Sequence, residues 1–153
     1  MSALELIQDN LQTKNPYLDL GKCRLNGTEP ELQLLEQCTH LETLVFSNEW
    51  WEFDEEKKEY TEKYSRNKGK LNKLTQIPSC LPKSLQKLVL TGNWGNEWLI
   101  TDISSLASLT GLTHLDLSWN QITDISFLAS LTGLTNLELR QNQITDISFL
   151  ASL

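Results

Sequence analysis

The sequence predicts an α/β solenoid: a right-handed coil with a concave parallel β-sheet, short 3₁₀ or α turns on its convex side, and a helix covering its N-terminal end. Three observations lead there. Residues 110–131 and 132–153 are both 22 long and are identical at 18 of 22 positions. Each carries the spacing Leu112-x-x-Leu115-x-Leu117-x-x-Asn120, in which strand alternation runs into an asparagine. Ahead of the first such turn, residues 2–13 follow the period of an amphipathic helix. One turn of this kind cannot bury its own leucines, so successive turns must stack.

In chain order, Ser2 and Glu5 have the spacing of a capping box, and Leu4, Ile7 and Leu11 share a helical face. Residues 1–16 therefore read as an N-terminal cap helix. The repeats occupy residues 17–153, about five in number. Leu18, Leu20, Cys23 and Leu25 begin the first, and Pro30 opens a short convex helix. Leu41, Leu44 and Phe46 begin the second, which is interrupted at 49–70 and resumes with Asn72-Lys73-Leu74-Thr75-Gln76-Ile77-Pro78. Leu85, Leu88, Leu90 and Asn93 begin the third, which resumes with Ile100-Thr101-Asp102-Ile103 after an insertion at 94–99. Residue 153 closes a repeat with no cap after it. The expectation is self-association through that end, or continuation into a longer protein.

Alternation assigns the roles within a repeat. Leu115 and Leu117 point inward, while His114, Asp116 and Ser118 point onto the concave side. Asn93, Asn120 and Asn142 follow their strands and are expected to satisfy buried backbone groups as a ladder, with Cys23 in the first slot. Ile122, Ile125, Leu128 and Leu131 complete the core. Asp124 or Ser126 is expected to cap the convex turn.

Composition narrows the function classes. The net charge of −7 argues against sequence-independent nucleic-acid binding. No apolar run reaches the length of a membrane span, and the N-terminus lacks a secretory pattern. Cys23, Cys38 and Cys80 are odd in number and widely spaced, which points to small buried hydrophobes in a reducing cytoplasm. No metal site and no cofactor is expected. Asp102, Asp124 and Asp146 recur as lone acids, unlike a calcium cage. Gly69-Lys70 lacks the rest of a phosphate loop. His114, Asp116 and Ser118 lie on one strand face with no oxyanion hole, so no catalytic residues are assigned and the chain is not read as an enzyme.

These phrases, above all NQITDISFLASLTGLTNL, resemble the 22-residue class of leucine-rich repeats seen in internalins and in the leucine-rich regulatory subunit of protein phosphatase 1. The opening, Leu18-Asp19-Leu20-Gly21-Lys22-Cys23 with its Trp-Trp insertion, also resembles bacterial proteins in which such repeats precede a Roc GTPase domain. The resemblance implies a protein-interaction module of bacterial type that binds on its concave face. The alternative it implies is an N-terminal recognition segment of a larger protein such as a Roc-type GTPase.

The two similar repeats differ only at 114/136, 116/138, 118/140 and 119/141, as His/Asn, Asp/Glu, Ser/Arg and Trp/Gln. All are outward or edge positions. Diversified recognition explains this, and so does free drift of exposed positions. The candidate surface begins with Tyr17, Asp19, Thr43, Val45 and Ser47. Lys87, Val89 and Thr91 continue it, then His114, Asp116, Ser118 and Trp119, and lastly Asn136, Glu138 and Arg140. Residues 100–153 hold five acids and one arginine, so a protein partner with a basic patch is expected there. Trp50, Trp51, Phe53 and Tyr60 form a possible accessory arm within 49–70. Alternation there suggests a hairpin, while Asp54–Lys58 and Glu59–Lys63 spacing suits a helix. Its aromatics either extend the binding rim or pack on the neighbouring coil.

Overall fold

A computed structural model of the chain describes residues 1–93, 95, 98–148 and 151. Trp94, Asn96 and Glu97 of the second insertion, and Leu150 of the last repeat, lie outside the described residues. Helix α1 spans Ala3–Thr13. Strands β1 (Tyr17–Asp19), β2 (Thr43–Val45), β5 (Lys87–Val89), β6 (His114–Asp116) and β7 (Asn136–Glu138) form one sheet in the order β1-β2-β5-β6-β7. Every neighbouring pair is parallel. Strands β3 (Glu49–Asp54) and β4 (Glu59–Tyr64) form a separate antiparallel hairpin, not a helix.

The register follows from the leucines. Leu18, Leu44, Leu88, Leu115 and Leu137 stand side by side across the sheet. Each strand is only three residues long, because the chain turns just beyond the next inward residue, Leu20, Phe46, Leu90, Leu117 or Leu139. On the convex side, 3₁₀ turns cover Pro30–Gln37, Ser104–Ser108 and Ser126–Ser130. Asp102, Asp124 and Asp146 each accept the backbone N–H of the serine two residues on, at 2.8, 2.9 and 2.8 Å. The aspartates, not the serines, therefore fix the approach to the convex turn. One continuous core runs from Ile7 of α1 through Leu20, Phe46 and Leu90 to Ile122, Leu128 and Leu131. Full burial of each such side chain contributes about 2 kcal/mol.

Helix α1 has the capping box that Ser2 and Glu5 suggested. Its buried face differs in one place from the sequence reading. Ala3, Ile7 and Asn10 are buried, whereas Leu4 is 38% exposed. Asn10 is a joint: its amide donates to the carbonyls of Asn15 and Tyr17, and its Oδ1 meets Nε2 of His40 at 2.8 Å. That contact ties the helix to the turn entering β2.

The asparagine ladder extends further than the sequence pattern indicated. Asn120 donates to the carbonyls of Leu90 and Leu117, and Asn142 donates to those of Leu117 and Leu139. Asn72 does the same two coils before Asn120, donating to Leu20 and Phe46 at 2.7 and 2.8 Å. Its Oδ1 accepts from the N–H groups of Cys23 and Leu25. The hairpin is thus inserted between the second strand and its own ladder asparagine. The phrase Asn72-x-Leu74-x-x-Ile77 repeats Asn120-x-Ile122-x-x-Ile125, and this is the signal that identifies the slot. Asn67 serves the first coil beside Cys23, donating to the carbonyls of Asp19 and Gly21 at 2.9 Å each. Asn48 bridges Lys22, Asn72 and Asn93.

Removing a buried amide strands every group it satisfies. Asn72→Ala is expected to cost about 3 kcal/mol in urea denaturation, and Asn142→Ala, which is half-buried, about 1 kcal/mol. Equal costs would contradict the ladder role of Asn72.

Candidate functional site

The hairpin leans across the concave face. Its base is clamped by the end of β1. The Asp19 carboxylate accepts from the Ser65 hydroxyl at 2.9 and 3.0 Å, the Arg66 N–H at 3.0 Å and the Gly21 N–H at 2.8 Å. Gly21 allows the close approach, since a Cβ there would sit 2.2 Å from the Ser47 carbonyl oxygen and 2.5 Å from Ser65 Cβ. At the tip, Asp54 accepts the N–H groups of Glu56 and Lys57, and Lys58 takes a left-handed φ of 56°. This turn explains why charge spacing that suits a helix does not make one here.

Three contacts seat the hairpin on the sheet. Trp50 packs on Val45 and Val89. Glu52 pairs with Lys87. At the far side the Tyr60 hydroxyl donates to Glu138 Oε1 at 2.8 Å, and the Arg140 guanidinium lies over the Tyr60 ring, 5.0 Å from its centroid. Phe53 meets Tyr60 edge-on at 5.3 Å. The arm and the sheet are therefore one surface.

This seating corrects several expectations of exposure. Val45 and Val89 are 1% and 2% exposed, because Trp50 covers them. Of the two readings of the arm's aromatics, Trp50 takes the packing one, since it is itself buried. Ser118 is buried as well, together with Ser47 and Thr91. The chain turns after Leu117, and the Ser118 N–H folds back onto Asp116 Oδ1 at 2.9 Å, so alternation does not carry to that position. Asp19 is spent on the hairpin base. Lys87 is engaged by Glu52.

The other expected residues stay accessible in three groups. Tyr17 and Thr43 line a cleft of about 470 Å³ on the N-terminal side of the hairpin, with Lys63, Tyr64 and Arg66. His114, Asp116, Asn136 and Glu138 line a cleft of about 220 Å³ on the C-terminal side, with Trp51, Phe53 and Tyr60. Trp119 and Arg140 sit in a third hollow, beside Trp51 and Asp116. The backbone of Trp119 is left-handed, with φ 58°, as is Gln141 at φ 55° in the next coil. Lys63 and Arg66 were not among the sequence candidates. The hairpin register, which faces Lys63 with Trp50, is what brings them to the sheet.

Electrostatics divides the surface. Lys63 and Arg66 make the N-terminal cleft basic. Asp116, Glu138 and Glu55 make the C-terminal one acidic. Burial pushes the Asp116 carboxyl up from the ordinary aspartate value, against the hydrogen bond from the Ser118 N–H. Burial, and then Lys87, lower the His114 imidazole from its ordinary value. The hydrogen bond to Glu138 raises the Tyr60 phenol. Burial raises all three thiols, Cys23 to about 11, which makes them poor nucleophiles. Among the described residues no group of three or more acids, histidines and cysteines is placed to hold a metal ion, and no helix is long and apolar enough to cross a membrane.

Comparison with known proteins agrees with this geometry. A family model described as leucine-rich repeats in two copies matches residues 110–152. Among solved structures, internalin C2 from Listeria monocytogenes is similar with a TM-score of 0.61 and 30% identity, over 90% of this chain and 47% of that one. The chain thus spans about half of that protein's length. An internalin F structure from the same organism has a TM-score of 0.49 and 26% identity, over 80% of this chain and 34% of that one. A Drosophila melanogaster SNF/U2A′ complex structure has a TM-score of 0.53 and 21% identity, over 97% of this chain and 74% of that one, which is likeness of fold. No curated protein matches the chain.

Two outcomes follow from the seating and the charge. Trp50→Ala is expected to accelerate amide exchange over residues 49–64 at least about ten-fold, while the amides of Leu88 and Leu115 stay protected. Loss of protection across the whole sheet would contradict a locally docked arm. For Asp116, a raised folded-state pKa means that the folded chain binds this proton more tightly than the unfolded chain does. Its contribution to stability therefore falls as pH rises from the ordinary aspartate value through the raised one. Asp116→Asn should be at least as stable as the wild type at pH 7 in thermal denaturation, with the two converging below about pH 4. A variant clearly less stable at pH 7 would contradict the assignment.

Proposed function

We propose that this chain, a leucine-rich-repeat protein of the internalin-like class, is a protein-interaction module that binds its partner where the hairpin meets the C-terminal half of the concave sheet. Proteins of this fold are in general interaction modules that use their curved face. The observation that carries the reading here is the juxtaposition of exposed aromatics with accessible outward strand positions. Trp51, Phe53 and Tyr60 are 48%, 38% and 45% exposed, and they stand beside His114, Asn136 and Glu138. A cluster of that kind is costly to leave in water without a partner. Aromatic and arginine side chains are the types that carry interface energy, and Trp119 and Arg140 adjoin the cluster. The four differences between the two most similar repeats fall within or beside this region, which favours recognition over drift.

The acidic half of the surface favours a partner with a basic patch, and such an association weakens as salt rises. Binding is non-catalytic, through a preformed sheet with little ordering cost. Three cysteines, odd in number and widely spaced, favour a reducing compartment such as the cytoplasm. Because the chain spans about half of internalin C2, the same surface also suits a recognition segment of a longer protein, a Roc-type GTPase among them.

The test is affinity capture from a lysate of the source organism, with three baits: the wild type, Trp51→Ala, and a double variant of Trp119→Gln and Arg140→Gln. Gln is the residue that the next coil carries at the place of Trp119. The wild type is expected to retain a protein that elutes with salt, and each variant to retain it at least about ten-fold less. Undiminished capture by both variants would overturn the proposed surface.

A further inference from the structure

We propose that the cleft between the hairpin and strands β6 and β7 is a recognition pocket for a single cationic side chain, arginine before lysine, presented by the protein partner. This rests on the interaction reading above and names the chemistry of its central contact.

The charge of the cleft favours a cation. Its carboxylates are Glu52, Glu55, Asp116 and Glu138, and the one lysine or arginine lining it, Lys87, is taken by Glu52. Lys58 and Arg140 reach Glu55 and Glu138 from outside the cleft, and both cations are more than half exposed, where pairing contributes little. Asp116 is half-buried in the cleft wall and forms no ion pair among the described residues. Lys87 lies within electrostatic reach of Asp116 but spends its ammonium on Glu52, so an arriving guanidinium would supply the direct ion pair that Asp116 lacks.

The walls favour the same occupant. Trp51, Phe53 and Tyr60 offer aromatic faces and edges beside those carboxylates, the combination that attracts cations. The chain already makes this contact once at the rim. Arg140 lies 5.0 Å over Tyr60 while its Nε donates to Glu138 at 3.2 Å. Trp50 is nine-tenths buried in the same wall, and its indole N–H finds no acceptor among the described residues. The volume of about 220 Å³ lies below that of a typical small-molecule site and suits one long side chain. Arginine is preferred because a planar guanidinium can stack on a ring and chelate a carboxylate together.

The five tryptophans supply the test, since each contributes one indole N–H signal in a ¹⁵N correlation spectrum. The full chain is titrated with N-acetyl-arginine amide, N-acetyl-lysine amide and, as a neutral control, N-acetyl-glutamine amide. The arginine probe is expected to shift the Trp50 and Trp51 signals saturably, with a Kd on the order of millimolar, and the lysine probe to do so more weakly. Trp98, fully buried and bonded to the Asn72 carbonyl, should not move. Asp116→Asn should weaken the arginine response at least about five-fold. Equal responses to arginine and glutamine, no response, or an unchanged affinity in Asp116→Asn would each overturn the pocket. If the Trp51→Ala and Trp119/Arg140 baits lose their captured protein while arginine leaves Trp50 and Trp51 unmoved, the pocket falls and the module stands. If arginine binds saturably while capture ignores the variants, the pocket stands and the module reading falls.

Discussion

What the concave face presents depends on where one indole sits. Trp50 lies on Val45 and Val89, and those two valines occupy outward positions on β2 and β5. An apolar side chain at an outward position is unfavourable in water and favourable under a cover. Two of them side by side make a seat. Once Trp50 takes it, Glu52 lies against Lys87 and the hairpin reaches far enough for Tyr60 to meet Glu138. The regular curved sheet becomes a partitioned one, basic on the β1–β2 side and acidic on the β6–β7 side.

An insertion of this size is tolerated because the ladder is not broken by it. The chain leaves the coil after Phe46 and returns at Asn72, whose amide bonds the same two carbonyl positions as Asn120 and Asn142. Asn48 and Asn67 brace the exit and the return. The coil therefore closes as if the hairpin were absent, and the hairpin spends its stability on docking rather than on holding the solenoid open. Asp19 shows the consequence for function. At the place where β6 and β7 carry the cleft residues Asp116 and Glu138, the first strand uses its carboxylate to hold the hairpin base.

The solenoid was legible because its last two turns are nearly the same sentence twice, and burial of the leucines leaves no other solution. The hairpin was legible from alternation around Trp51 and Phe53, although helical charge spacing competed with it. Its placement was not legible. Sequence alternation treats each outward residue as open, and says nothing of a segment elsewhere in the chain that covers it. Val45 and Val89 carried the available hint, since valine at two adjacent outward sites asks for a lid. Ser118 was misplaced for a local reason: the Asx turn at Asp116 ends the strand before the alternation reaches it. Asn67 escaped because a short polar residue within an insertion looks like loop chemistry, and Asn72, although it marks where the repeat resumes, carries no strand leucines just before it to signal a ladder slot. Lys63 and Arg66 escaped because their position depends on the register of β4 against β3.

The proposed recognition surface is thus a composite, with aromatics from the arm and polar side chains from the sheet, and its shape holds only while the arm is docked. The most direct measurement is a set of proton–proton distances in solution, by nuclear Overhauser contacts from the Trp50 ring. A docked arm gives strong cross-peaks from that ring to the methyls of both Val45 and Val89. An absence of both, with those methyls reached by a soluble paramagnetic agent, would mean an open concave face and a free arm.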